Sequence, residues 1–311
     1  MNKLLSVAIP TYNFALFLPE TLTSLVSEAQ ELGIDVLVFD GNSTDNTREV
    51  VSSIQAKHPN LRYIKALSKG GIDLDMSKCV SYGSSEYCWL FSGDDLYRAG
   101  SFAYVLSLLK EYKPDLLLCR HNECDFDMRP LKDWPVLNSG VDKETMFDLS
   151  QHSDLVRYCD AAVTSEAFFS FMGGLIVKRR KWFEAKLDSD HTNKNWAHIT
   201  RLWRLTATQF KLLYTPKVLL DRRGGNDSFS SDGMLERLKL QVYGLQHAVG
   251  KATSDPVVHR NLRRVVRYEI YPSWYQAVEN HLKSTNAEQS MLNELKSLLA
   301  SLEQGENHEL L

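Results

Sequence analysis

Residues 87–100 read YCWLFSGDDLYRAG. An apolar run ends at Phe91, and Ser92 and Gly93 lead into two adjacent carboxylates, Asp94 and Asp95. Neighbouring carboxylates repel unless a cation neutralises them. Mg²⁺ takes one or two protein carboxylates and leaves positions for substrate phosphates. The pair therefore suits a metal site that would stabilise a departing diphosphate. One carboxylate can instead bind a ribose hydroxyl. Gly-Asp-Asp is also ordinary chemistry for an exposed turn.

Two other apolar runs end in polar clusters, Pro10-Thr11-Tyr12-Asn13 and Asp40-Gly41-Asn42-Ser43. The first offers a fixed kink at Pro10, a ring at Tyr12 for stacking on a flat base, and an amide at Asn13 for its edge; it is also a plain turn composition. Asp40 can accept a hydrogen bond from a base N–H or a sugar hydroxyl, or cap the following helix. Asp73 and Asp75 can face a nucleotide or sit as acids at a helix start. Arg222 and Arg223 precede two glycines and can clamp a diphosphate when a loop closes, or belong to an exposed turn. No GxGxxG or GxxxxGK[ST] follows the first apolar run, which disfavours a dinucleotide dehydrogenase or a P-loop enzyme.

These residues need a scaffold that brings strand ends together. Apolar runs at 4–9, 35–40, 61–67 and 87–91 read as strands. Between them, Phe14, Leu18, Leu22, Leu25 and Ala29 form one helical face, Val50, Val51 and Ile54 another, and 73–84 a third. Asn46 and Glu49 have the spacing of a capping box. Strand alternating with helix implies a doubly wound α/β domain with a largely parallel sheet, and ligands bind such sheets beyond the carboxyl ends of the strands. Further on, 101–112 and 196–208 read as helices, and 115–119, 174–178 and 217–221 as strands. Residues 120–160 are polar with few periodic features, and the chain is mostly helical from Met234.

At 43% hydrophobic residues the 311-residue chain has ample material for a core. A net charge of -3 gives no reason to expect nucleic-acid binding. No apolar run reaches the length of a transmembrane helix, and the N-terminus reads as a strand, not a signal peptide. Five cysteines without CxxC spacing suggest reduced, buried thiols and a cytosolic protein. Residues 257–275 place Arg260, Arg263, Arg264 and Arg267 beside an apolar stripe of Val258, Leu262, Val265 and Val266. Such a basic amphipathic helix can dock on an anionic membrane or pack its stripe on the domain.

Taken in order, SVAIPTYN, VLVFDGNSTDNT and GSSEYCWLFSGDDLYRAGS resemble the inverting family 2 glycosyltransferases of the GT-A fold. FFSFMGGLIVKRRKWF, WAHITRLWRL and LLDRRGGNDSF are similar to a bacterial branch that includes O-antigen sugar transferases of the abequosyltransferase type. The resemblance implies a Rossmann-like, doubly wound mixed sheet over 1–230, with a nucleotide-sugar half (1–110), an acceptor-side half (111–230) and a helical extension (231–311). It implies that Pro10, Tyr12 and Asp40 hold the base. Asp94 and Asp95 would occupy the family's DXD-type position, with Asp95 as direct ligand of Mn²⁺ or Mg²⁺; Ser92 stands where many members have the first Asp. The family places an acidic base near the start of a late helix. His198 falls there, with Asp188 and Asp190 as alternatives, and a neutral imidazole is a competent base near pH 7. The implied activity is inverting transfer from a nucleoside diphosphate sugar to a glycan or lipid-linked saccharide, in the cytoplasm or at the inner face of the plasma membrane. The rivals are a sugar nucleotidyltransferase, which would usually show a basic glycine-rich loop in place of PTYNFA, and a noncatalytic nucleotide-sugar-binding module.

Overall fold

A computed structural model describes residues 3–186, 195–226, 233–285 and 287–303. Its strands are β1 (Leu5–Thr11), β2 (Asp35–Asp40), β3 (Leu61–Lys65), β4 (Tyr87–Leu90), β5 (Leu96–Tyr97), β6 (Leu116–Cys124), β7 (Pro130–Trp134), β8 (Thr145–Asp148), β9 (Leu175–Lys178) and β10 (Lys211–Arg223). The helices are α1 (Leu18–Glu31), α2 (Thr47–Gln55), α3 (Ile72–Tyr82), α4 (Ser101–Tyr112), α5 (His152–Ala161), α6 (Arg179–Glu184), α7 (Ala197–Arg204), α8 (Met234–Lys239), α9 (Leu245–Gly250), α10 (Pro256–Ile270), α11 (Ser273–Ser284) and α12 (Gln289–Glu303).

The described strands form one mixed sheet in the order β3-β2-β1-β4-β9-β6-β10-β5, with β7 beside β6 and β8 beside β10. β1 to β4 run parallel, as do β6 and β10. β9 lies antiparallel between β4 and β6. Two reversals restore direction, so β1, β2, β4, β6 and β10 end on one rim. The largely parallel sheet expected from the strand–helix alternation is thus a mixed one, with β5, β7, β8 and β9 antiparallel.

Successive strand residues point to opposite faces. Val7, Ile9, Val36, Val38, Trp89 and Phe91 pack with α1 and α4 on one side. Ala8, Leu37, Phe39, Cys88 and Leu90 pack with α3 on the other, in a core that also takes Leu238, Val265 and Leu298 from the C-terminal helices. Both faces are covered, which is why these strands read as unbroken apolar runs. The five cysteines are free and buried.

Local details correct the sequence reading in two places and bear on a third. Asn46 makes no side-chain cap; Asp45 does the work, accepting from Thr47 N, Thr47 Oγ1 and Ala15 N. The polar stretch 120–160 contains the end of β6, then β7, β8 and α5. On α10 the apolar stripe is buried, and three of its arginines are engaged within the protein. Arg260 pairs with Asp160 at 3.7 Å, Arg267 pairs with Glu303 at 3.5 Å, and Arg264 donates to the carbonyls of Cys159 and Ala162. The packing alternative for 257–275 is the one realised. No described helix is long and apolar enough to cross a membrane.

Candidate active site

The β1 and β2 ends are stitched to each other. Asn13, with φ of 57°, donates its N–H to Ser43 Oγ and accepts from Thr44 N through Oδ1, both at 2.8 Å. Its side chain joins the two loops through Oδ1. Pro10 sits within β1 opposite Phe39. The Tyr12 ring carries the Lys69 ammonium 4.1 Å from its centroid. Asp40 is fully buried. Its Oδ1 accepts from Ser43 N at 2.6 Å and its Oδ2 from the Tyr63 hydroxyl. Burial, and then Asp40 itself, push the Tyr63 phenol well above its usual range. Two acceptances leave a carboxylate with further lone pairs.

Asp75 lies against the same loop. A methyl on Gly41 would fall 2.3 Å from Asp75 Oδ2, so only glycine admits this carboxyl. Asp75 Oδ1 is buried without a hydrogen-bond partner. Burial raises its pKa to about 6; Asp40 adds to the rise, and Lys78 and Lys69 oppose it.

The β4 end brings together Asp94, Asp95, Arg222 and Arg223. Asp94 accepts from Ser92 Oγ and Asn226 Nδ2. Asp95 is 2% exposed; its Oδ1 accepts from Arg223 N at 2.9 Å, and its Oδ2 is buried with no partner. Burial, with Asp94 adding, holds the Asp95 carboxyl well above the usual carboxylate range. An orphaned buried carboxylate oxygen is costly unless a cation completes it, so Asp95 fits a divalent ion. No group of three or more His, Cys, Asp or Glu among the described residues forms a ready metal cage. Mg²⁺ does not need one where a diphosphate supplies the other oxygens.

The two arginines differ. Arg223 donates to the Asp94 carbonyl at 2.9 Å, the Phe126 carbonyl at 2.5 Å and Glu20 Oε2 at 2.6 Å, and is buried. The clamp expected of it is spent on the protein. Arg222 pairs with Glu123 at 3.0 Å and lies over the Phe171 ring. Its side chain is 36% exposed. Despite the desolvation its pKa is raised, by Glu123, Glu166, Asp95 and Asp94.

Sequence reasoning missed a buried chain behind these groups. His121 places Nδ1 3.3 Å from Glu166 and Nε2 3.8 Å from Glu123. Burial lowers the His121 pKa and raises that of Glu166 far above normal. Glu269 of α10, half-buried, accepts from Ser165 N at 2.6 Å. An acid inside the apolar run SEAFFSF was the available signal.

The turn Ser165–Phe168 leads from Glu166 to His198. His198 is 5% exposed, and its Nε2 lies 2.9 Å from the Phe169 carbonyl. A carbonyl only accepts, so Nε2 carries the hydrogen and Nδ1 the lone pair. That Nδ1 is buried without a partner. Burial lowers the His198 pKa, with Asp73 opposing, so the ring is neutral near pH 7. Asp73 accepts from Asn195 N and Ala197 N. Asp188 and Asp190 lie outside the described residues.

Comparison with known proteins bears on the fold and the family. The chain is 28% identical to the abequosyltransferase RfbV of Salmonella typhimurium strain LT2 over 242 residues, 76% of this chain and 71% of the relative. Its fold matches S. aureus TarS 1–349 in complex with UDP-GlcNAc, with a TM-score of 0.64 at 14% identity, covering 96% of this chain and 80% of that one. It also matches the mannosyltransferase PcManGT of Pyrobaculum calidifontis in complex with GDP-Man and Mn2+, with a TM-score of 0.59 at 14% identity, covering 97% and 86%. The family model described as glycosyl transferase family 2 matches residues 6–167, which spans β1 to the Glu166 turn and so takes in Asp40, Asp94 and Asp95. The rim of carboxylates thus sits in a GT-A fold, and the chain belongs to glycosyl transferase family 2.

Proposed function

We propose that the protein is an inverting, metal-dependent glycosyltransferase that moves a sugar from a nucleoside diphosphate sugar to a hydroxyl of a glycan or lipid-linked saccharide. The observation that carries the metal reading is the orphaned Asp95 Oδ2 at the rim, beside Asp94. Tyr12 and Asp40 would take the nucleoside, and Asp94 and Asp95 the Mn²⁺ or Mg²⁺. Of the two arginines, Arg222, which is partly exposed where Arg223 is buried, would face the diphosphate. When bound, the metal supplies positive charge to the leaving diphosphate.

His198 Nδ1 would accept the proton of the acceptor hydroxyl as its oxygen forms a bond to the anomeric carbon. The bond from that carbon to the diphosphate oxygen breaks, and its electron pair leaves with the diphosphate. Attack from the opposite face inverts the centre. Arg223 keeps the Asp94–Asp95 turn in register and does not move.

Likeness to an abequosyltransferase supports synthesis of a bacterial surface polysaccharide. We divide the chain into a donor half (1–110), an acceptor half (111–230) and a helical extension (231–311), and place the reaction in the cytoplasm, where lipid-linked acceptors are reached at the inner membrane face. Membership of a glycosyltransferase family fits neither a nucleotidyltransferase nor a noncatalytic module. The test is a thermal-shift panel of nucleoside diphosphate sugars with and without Mn²⁺. The true donor raises the melting temperature, more so with metal. An equal rise without metal, or with Asp95→Asn, sinks the metal site.

A further inference from the structure

Asp73 is assigned no chemistry by the reaction above, yet it is 5% exposed and acidic. It is the second residue of α3, in the part of the chain that carries the donor strands. Its Oδ2 accepts from Asn195 N at 2.9 Å and its Oδ1 from Ala197 N at 3.1 Å. These N–H groups belong to the entry of α7, which has no side-chain cap of its own. Unsatisfied donors at a helix start need an acceptor, and here it comes from 122 and 124 residues away.

The residue after Ala197 is His198. The main chain just before it is therefore held by Asp73, while its ring is held by the Phe169 carbonyl through Nε2. A carboxylate beside an imidazole also favours the imidazolium that forms when Nδ1 takes a proton.

We propose that Asp73 is a positioning residue for His198: it fixes the base against the donor side of the site, and it is not a ligand of the nucleotide. This rests on the reading of His198 as the base. The acceptor is outside the argument, so water can stand in for it.

The experiment uses the full chain with Mn²⁺. UDP, GDP and CDP are titrated to find the nucleotide that binds, and hydrolysis of the corresponding sugar donor is measured for wild type, Asp73→Asn, His198→Gln and the double variant. Asp73→Asn should bind the nucleotide within about twofold of wild type and keep its KM, with kcat lower by about 10- to 100-fold. The double variant should be no slower than His198→Gln alone, because residues that act as a unit are not additive. Asp73→Ser, which keeps a single acceptor, replaces Asp73→Asn if the latter does not fold, with the same expectation.

Three results overturn the proposal. A tenfold weaker nucleotide affinity at unchanged kcat makes Asp73 a nucleotide ligand. A multiplicative loss in the double variant makes it a structural residue independent of His198. Full activity of His198→Gln removes the base itself, and with it both readings, while nucleotide binding would leave the donor site standing.

Discussion

Asp95 and His198 are both buried side chains with one atom left unpaired, but their surroundings ask for different partners. Asp95 Oδ2 belongs to a group of acids: Asp94 and Glu123 raise its pKa, and Arg222 is the cation set against them. More negative charge than positive is gathered in a space of low polarity, so what is missing there is a cation. His198 Nδ1 belongs to a neutral ring in an apolar place, with one carboxylate close by and one carbonyl fixing the tautomer. What is missing there is a hydrogen-bond donor. On the proposed mechanism the two orphans mark the two ends of one displacement, charge leaving at one and a proton arriving at the other.

The largest expected effect breaks the first end. Asp95→Asn should lower turnover by about a thousandfold and abolish the Mn²⁺-dependent part of donor binding. Its melting temperature should not fall, since the amide oxygen can still accept from Arg223 N and a buried charge is gone. His198→Gln breaks the second end, with a loss of about a hundred- to ten-thousandfold in kcat, while donor titration stays as in wild type. A His198→Gln variant that lost donor affinity along with rate would erase the distinction between the two ends.

The arginines sharpen the contrast within the acidic end. Arg223→Ala removes hydrogen bonds to three segments and should cost about 3 kcal/mol of stability in a denaturant titration. Arg222→Ala should cost less stability than Arg223→Ala and slow turnover by about tenfold. The reverse pattern would mean that Arg222 is the scaffold residue.

The smallest effect concerns pH. The Asp75 carboxyl is raised to about 6, so the folded protein holds that proton more tightly than the unfolded chain. Stability from this group is highest below the ordinary carboxylate range and declines as pH rises through about 6. The decline is about 2–3 kcal/mol. Asp75→Asn should raise the melting temperature above pH 7 and flatten its fall across that window; an unchanged pH profile would show that Asp75 carries no such strain.

The donor side was largely legible because each of its strands is an apolar run that ends in polar residues. DVLVFD matches β2 residue for residue, and the helix expected over 101–112 matches α4. What escaped depended on distance in sequence. The engagement of Arg223 comes from Glu20 and Phe126. Glu166 hid in an apolar run, and its supporting Glu269 lies 104 residues past Ser165 in a region legible only as helical. β8 is four residues long and partly exposed, and pairs with β10, so no local pattern marks it. The position of His198 came from resemblance; its tautomer and its free nitrogen needed coordinates.

The first turn of α3 carries two acids with separate duties. Residues two apart on a helix are turned about 200° from one another, so Asp73 points to the entry of α7 while Asp75 lies against Gly41. A protein engineer who grafted residues 67–75 from a relative to alter donor choice would therefore transplant the support of the base as well. On the proposed role of Asp73, any screen of variants at this turn should score turnover together with donor binding from the outset.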